Sequence, residues 1–390
     1  MSSSQPIAAR LGVDRLEAPV TVGTLHRVYF GSDFLSAENV ILSNLIEHKP
    51  DGPTRALFVL DQSLSTCWPD LEERIREYQA AHADRFTLTK VLELPGGEAS
   101  KNSSRAYEAL LQAINDEGIC RQSYVVAMGG GALLDVAGYA ASTSHRGVRL
   151  IRFPTTTLSQ GDSGIGVKNG INKFGKKNFL GAFDVPIAVL NDEKYLTTLS
   201  DRDWRAGFSE AVKVALIKDG PFYDEVEKIA GRVMERDHDL LMPIVHRSAE
   251  LHFRHIVEGG DPFERTVARP LDFGHWSAHK IEQMSDFSVL HGEAVATGVA
   301  LDTLYSATAG HLGMDSAIRA CQCLKDMGFS LHHPVMDRHE DLFEGIEEFR
   351  QHLGGELAVT LLKGIGEGFT CHEIDLSKME EALERLKDFS

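Results

Sequence analysis

Val125-Val126-Ala127-Met128-Gly129-Gly130-Gly131-Ala132-Leu133-Leu134-Asp135 is the stretch whose reading decides the fold. Its first four residues, preceded by Tyr124, form a short continuous apolar run that suits a strand buried on both faces. Three glycines follow, and a helical pattern takes over at 133–141. Glycine lets a backbone approach a phosphate closely, and a helix that starts there offers unpaired N–H groups to it. The same glycines would also serve a tight turn with no ligand, and the spacing is not G-x-G-x-x-G. Asp135, four residues after the last glycine, is either a surface residue of the helix or a partner for cofactor hydroxyls.

Working outward, apolar runs predict strands at 56–61, 86–94, 124–128 and 148–153, and 3.6-residue spacing predicts helices at 69–81 and 103–115. Strand–helix alternation of this kind builds a parallel sheet with helices on its faces. Past residue 199 strand-like runs become scarce. Helical patterns follow at 205–218, 221–233, 240–257, 275–284, 292–310 and 315–328. The expected organisation is an α/β N-terminal domain with a Rossmann-like parallel sheet, residues 1–199, then a mostly α-helical C-terminal domain, residues 200–390. The crevice between them is the expected ligand site.

Composition narrows the function. The 390 residues carry a formal charge of -17, with 43% hydrophobic and 25% charged residues, which suits a globular chain with a core of its own. Such acidity argues against nucleic acid or an anionic membrane as partner. Cys67, Cys120, Cys321, Cys323 and Cys371 are odd in number and follow no disulfide or zinc spacing, which points to a reducing cytoplasm. The polar stretch 1–10 has no apolar run of the signal-peptide kind.

Within this acidic chain, residues 162–183 stand out. They hold Lys168, Lys173, Lys176 and Lys177 among glycines and asparagines, with no acidic residue after Asp162. A solvated basic loop would look similar. The apolar frame and local charge favour binding of a phosphate or carboxylate.

A second cluster is richer in metal-ligating types. L-D-F-G-H-W-S-A-H-K-I-E followed by V-L-H-G-E-A-V supplies His275, His279 and His291. His275 and His279 are four apart and share a helix face. Glu210, in G-F-S-E-A-V-K-V, adds a carboxylate, with Lys213 three residues on. Catalytic zinc takes three such ligands and keeps one position open. Spacing alone leaves all four of Glu210, His275, His279 and His291 as candidates. His238, His246, His252, His332 and His333 lie in polar stretches and are expected to have no part in the site.

Eight motifs now fall into a recognisable order: G-G-G-A-L-L-D, H-R-G, P-T-T, D-S-G-I-G-V-K, G-K-K-N-F-L-G-A-F, S-E-A-V-K, F-G-H-W-S-A-H and L-H-G-E-A-V. From about residue 61 to residue 369 the chain resembles 3-dehydroquinate synthases and related sugar phosphate cyclases. Its R-P-L-D-F-G-H-W is most similar to the Ebo-type branch. The resemblance implies NAD held at Gly129, Gly130, Gly131 and Asp135, with Asp61, Glu98, Lys101, Thr155, Thr156, Lys177 and Thr198 at other cofactor positions. It implies a divalent metal, zinc or cobalt, on Glu210, His275 and His291, with His279 as a catalytic histidine beside it. Asp162, Lys168, Lys177, Asn178 and Lys213 match substrate-site positions, with Asp162, Lys168 and Lys213 also catalytic. Arg146 matches an arginine that reaches the neighbouring subunit's site, which implies a homodimer.

The departures fall on substrate positions. Gly166-Val167-Lys168 stands for the family's G-G-K, Asp272 for an asparagine, and Arg269 for an arginine usually one residue further from the first metal histidine. A substrate lysine expected near residue 254 is missing, with Arg254 and His255 there. A late D-K-K is replaced by 349–355, which contains Arg350 and His352. The resemblance therefore implies a cytoplasmic cyclase that releases phosphate from a seven-carbon sugar phosphate, such as sedoheptulose 7-phosphate. Its rivals are 3-dehydroquinate synthase itself, an NAD- and metal-dependent alcohol or polyol dehydrogenase, and a catalytically dead binding protein.

Overall fold

The structure, a computed structural model, describes Ala18 and residues 23–50, 52–265 and 269–390. The N-terminal stretch 1–10 lies outside the described residues. Among the described residues eight strands precede residue 193: β1 (Val28–Gly31), β2 (Thr54–Asp61), β3 (Phe86–Leu94), β4 (Tyr124–Gly129), β5 (Arg149–Pro154), β6 (Lys168–Lys173), β7 (Lys176–Phe183) and β8 (Ala188–Asp192). All but β6 and β7 form one parallel sheet in the order β1-β8-β5-β4-β2-β3. The central strands are apolar on both faces because helices cover both.

Among the described residues these helices accompany them: α1 (Ile41–Leu45), α2 (Gln62–Cys67), α3 (Leu71–Ala81), α4 (Ala99–Asn102), α5 (Ser104–Asp116) and α6 (Gly131–Thr143). Phe58 and Leu60 of β2 pack with Leu71 and Ile75 of α3, whereas Leu57 and Val59 pack with Leu110 of α5 and Leu133 of α6. The chain thus changes faces between β2 and β4. In a doubly wound sheet the crevice beyond the carboxyl ends at such a switch point is where ligands bind. Asp61 ends β2 there, and Gly129 ends β4.

The second half is helical: α7 (Asp201–Lys218), α8 (Gly220–Ile229), α9 (His238–Glu258), α10 (His275–Met284), α11 (His291–Thr308), α12 (Met314–Asp326), α13 (His339–His352) and α14 (Leu376–Leu386). From Gly292 to Ser306 only Glu293 of α11 escapes full burial, so this helix is the axis of the half rather than an amphipathic surface helix. α7 and α10 pack on it, and one large apolar cluster runs from Leu196 to Leu386. Among the described residues no helix is long and apolar enough to cross a membrane.

The structure adds elements to the sequence reading: strands β1 and β8 in the parallel sheet, and two hairpins. Residues 168–183 form an antiparallel hairpin, β6 with β7, seated against α6. Ile171 and Leu180 join the apolar cluster of α6, and this anchorage outweighs the loop-like Gly, Asn and Lys content. The helical half also contains a hairpin, β9 (Val359–Gly364) with β10 (Glu367–Cys371), whose strands pack against α11 and α7.

Candidate functional site

The glycine turn lies where β4 ends. Gly130 precedes α6 in an extended conformation and supplies no side-chain cap to the first N–H groups of α6, at the carboxyl end of β4. A Cβ on Gly131 would lie 2.5 Å from Ser163 Oγ, so the two loops meet backbone to side chain with no room to spare. Thr155 N donates to Gly129 O (3.0 Å), and Thr156 Oγ1 pairs with Ser159 Oγ (2.8 Å). Asp61 caps α2 by accepting from Ser63 N. Lys101, almost fully buried, donates to Asp135 Oδ2 (2.8 Å) and to Asn178 Oδ1, while Glu98 Oε1 accepts from Asn172. Asp135 is thus an ion-pair partner of Lys101 rather than a loose surface carboxylate. A glycine-opened helix start among polar groups suits a dinucleotide pyrophosphate. Thr198 stands apart, exposed, and its Oγ1 accepts from Trp68 Nε1 (3.2 Å).

The hairpin divides its lysines. Lys173 and Lys176 pair across the tip of the hairpin and are exposed. Lys177 Nζ donates to both oxygens of Glu282 (2.9 Å each), and Lys168 Nζ lies 2.5 Å from Glu264 Oε1. Burial would lower the Lys168 pKa, but Asp272 and Glu264 hold it above the usual lysine value. Between β5 and β6 the chain passes through a π-helical turn at Ser159–Ser163 that carries Asp162. The segment after it is held by Arg152, fully buried on β5, whose guanidinium donates to Gly164 O, Gly166 O, Lys168 O and Asn169 Oδ1 (2.6–3.2 Å).

Across the crevice the helical half contributes the metal-ligating types. Glu210 lies on α7 with no solvent exposure, and Lys213 Nζ is 2.5 Å from its Oε2. Among the described residues its Oε1 has no hydrogen-bond donor, and it faces His275 Nε2 at 3.7 Å and His291 Nε2 at 4.0 Å. The supporting contacts fix which nitrogens face inward. His275 Nδ1 donates to Phe273 O (3.0 Å), and His291 Nδ1 lies 3.1 Å from Glu282 Oε2, so both Nε2 atoms turn toward Glu210. A histidine held through its second nitrogen is the usual support for a metal ligand. Burial, together with Lys213, His279 and His291, pushes the His275 pKa well down, which favours the neutral form a metal needs. A buried carboxylate oxygen without a donor is costly. A divalent cation would satisfy it, and the ligand atoms of Glu210, His275 and His291 all lie within 4.8 Å of one another. The residues therefore fit a metal. His279, half-buried, forms a second such group with Glu282 and His291, and its ring centre is 5.4 Å from that of His275.

Local sequence explains how His275 arrives there. Gly274 precedes α10 at φ 77°, and a Cβ on it would lie 2.6 Å from Val299 N, so only glycine lets α10 start this close to α11. Asp302, buried on α11, accepts from Gly274 N (3.0 Å) and Trp276 Nε1 (2.8 Å), clasping the start of α10 on both sides of His275. Burial raises the Asp302 pKa to about 7 despite these donors.

Two contributors were not singled out in the sequence. Glu282 joins Lys177 to His291. It sits seven residues beyond His275 on the same helix, a spacing that places both on one face. His252, expected to have no part, is buried on α9 with Nε2 3.0 Å from Asp162 Oδ1. Ligand atoms of Asp162, Glu210 and His252 also lie within 4.8 Å of one another. Burial alone would raise the Asp162 pKa, but His252, Lys213, His291 and Lys168 hold it below the usual carboxylate value.

The remaining positions separate. Arg269 Nε is 3.7 Å from Glu264 Oε2, and Asp272 sits in the short helical turn Pro270–Asp272. His255 is half-buried among Lys218, His252, Lys168 and Lys213, and burial followed by these charges lowers its pKa to about 4. Arg254 pairs with Glu250 on the surface, and Arg350 with Glu347. The His352 side chain lies outside the described residues. Arg146 is exposed and lines a separate cavity of about 560 Å³ with Cys120, Thr143 and His145.

Comparison with known proteins covers both halves. The family model described as 3-dehydroquinate synthase N-terminal matches residues 91–206, and that described as 3-dehydroquinate synthase C-terminal matches residues 207–348. The 3-dehydroquinate synthase of Pelobacter propionicus is 36% identical over 299 residues, 76% of this chain and 80% of that protein. The 3-dehydroquinate synthase of Coxiella burnetii is 31% identical over 359 residues, 92% of this chain and 95% of that protein. Among solved structures, 2-epi-5-epi-valiolone synthase from Streptomyces hygroscopicus subsp. jinggangensis, with NAD+ and Zn2+ bound, is similar at TM-score 0.86 and 26% identity, covering 96% of this chain and all (100%) of that one. A 2-deoxy-scyllo-inosose synthase complexed with carbaglucose-6-phosphate, NAD+ and Co2+ shares the fold at TM-score 0.76 and 22% identity, covering 93% of this chain and 96% of that one.

Proposed function

Because the chain belongs to the 3-dehydroquinate synthase family, we propose that it is a sugar phosphate cyclase that uses NAD and a divalent metal and expels inorganic phosphate. The observation that carries this reading is the donor-free Glu210 Oε1 facing two imidazole Nε2 atoms, beside the lysines of the β6–β7 hairpin. Glu210, His275 and His291 would hold the metal, zinc or cobalt. The glycine turn with Asp61, Glu98, Lys101, Thr155 and Thr156 would hold NAD. When bound, these groups supply a reversible hydride acceptor and a Lewis acid for a substrate oxygen.

The chain's own residues do the rest. Lys168, Lys177 and Asn178 would bind the phosphate and neighbouring oxygens, Lys177 by exchanging Glu282 for the substrate anion. Lys213 keeps a positive charge beside Glu210 and Asp162: burial would lower its pKa, but both carboxylates raise it. His279, next to His275 and His291, would carry a proton to or from the reacting carbon chain. Asp272, Arg269 and the Gly166-Val167-Lys168 departure favour a ketose phosphate other than the dehydroquinate precursor, such as sedoheptulose 7-phosphate. The enzyme would work in the cytoplasm as a homodimer, with Arg146 reaching the partner's site.

The test is phosphate release by zinc- and NAD-loaded enzyme across seven-carbon ketose phosphates. The expected result is stoichiometric phosphate with no net NADH. Net NADH from a simple polyol, with no phosphate released from any ketose phosphate, would replace this reading with a dehydrogenase.

A further inference from the structure

His275 and His291 are held through their second nitrogens by groups of different charge. His275 Nδ1 donates to the Phe273 carbonyl (3.0 Å), a neutral backbone group. His291 Nδ1 instead meets the Glu282 carboxylate, 3.1 Å from Oε2. Glu282 is 2% exposed, and both its oxygens accept from Lys177 Nζ at 2.9 Å. Lys177 Nζ is itself 3.5 Å from His291 Nδ1. Carboxylate, ammonium and imidazole thus form a closed triangle behind the Nε2 that faces Glu210.

Ligand atoms of His279, Glu282 and His291 lie within 4.8 Å of one another, yet the contacts of Glu282 argue against ligation. Glu210 keeps Oε1 without a donor among the described residues, whereas both oxygens of Glu282 are taken. An ammonium already stands beside the oxygens a second cation would need. Glu282 is placed to act through His291.

A carboxylate behind a ligating imidazole strengthens it as a donor. Here that carboxylate is shared, because Lys177 offsets part of its charge. Lys177 belongs to β7 of the sheet half, while Glu282 lies on α10 and His291 opens α11. The donor strength of His291 therefore depends on a side chain from across the crevice.

We propose that Glu282 is a positioning residue for the metal and that Lys177 tempers it, so that an anion drawing Lys177 away from Glu282 tightens the metal on His291. The inference rests on the cyclase reading, in which Glu210, His275 and His291 hold the metal and Lys177 turns to the substrate anion. It adds that the two events are linked: the metal is held hardest while substrate is seated.

The test measures zinc dissociation constants on the full chain by competition with a chromophoric chelator. Wild type, Glu282→Gln, Lys177→Met and the double variant are compared. Glu282→Gln should weaken zinc by about tenfold. Lys177→Met reproduces the state with Lys177 drawn away and should tighten zinc by about threefold or more, a gain that should vanish in the double variant. The sign separates this role from a structural one, since a damaged fold weakens zinc in both single variants. Unchanged zinc affinity in Glu282→Gln overturns the inference, as does weaker or unchanged affinity in Lys177→Met. A gain of the same size in the double variant also overturns it, because Glu282 would then not carry the effect. Should Glu282→Gln not fold, the sign in Lys177→Met decides alone. A wild type that takes up no zinc overturns the metal reading itself together with the inference, whereas the other adverse results leave that reading standing.

Discussion

The two walls of the crevice are built on opposite plans. On the sheet side the turn proposed for NAD is backbone, a glycine turn and a helix start encoded in adjacent residues 129–131. On the helical side the site proposed for the metal is side chains alone, drawn from α7, α10 and α11, more than 60 residues apart in sequence between Glu210 and His275. A backbone site tolerates most changes except the addition of a Cβ, whereas a side-chain site fails on the loss of one atom.

That contrast can be broken at three points. The largest effect is expected at His275. His275→Ala removes one of the three proposed ligands, so metal content by elemental analysis should fall at least about tenfold and phosphate release at least about a hundredfold, with NAD binding retained. Full metal content in that variant would sink the assignment. A smaller and complementary effect belongs to Gly131→Val. The added side chain meets Ser163 Oγ and crowds the turn, so NAD affinity by fluorescence titration should weaken by about tenfold while zinc content stays at the wild-type level. Joint loss of both ligands would show that the walls are not independent.

The smallest effect concerns Asp302, whose carboxyl holds the start of α10. Its pKa is raised to about 7 in the fold, so the folded state binds the proton more tightly than the unfolded chain. The stability this group contributes is therefore greatest below about pH 4 and declines as pH rises toward 7. Asp302→Asn cannot titrate, so in metal-free protein its melting-temperature deficit relative to wild type should be larger at pH 5.5 than at pH 8. An equal deficit at both values would refute the burial argument.

The same contrast governs what the sequence could reveal. Strand β4, its glycines and α6 were legible because the apolar run, the turn and the helix are contiguous and each obeys its own local rule. The helices carrying Glu210, His275 and His291 were legible too, but spacing left His279 as a fourth ligand candidate. In the structure Glu210, His275 and His291 form one group of possible ligands, and His279 forms another with Glu282 and His291. His252 was not legible: its neighbours are Leu251 and Phe253 on a mixed stretch, and Asp162 lies 90 residues away. The β6–β7 hairpin was hidden for a different reason. Its strand character comes from pairing and from Ile171 and Leu180 under α6, not from its own lysines and glycines.

Arg152 gives the crevice a mechanical asymmetry. A guanidinium fully buried and tied to four oxygens welds the segment from Gly164 to Asn169 onto β5. The piece that carries Lys168, with Asp162 just before it, is therefore part of the sheet's rigid frame. An opening or narrowing of the crevice is then expected as a shift of α7 and α9 against that frame. The sheet half acts as the anvil, and the distance from Asp162 to His252 and Glu210 is the gauge by which such a shift would be read.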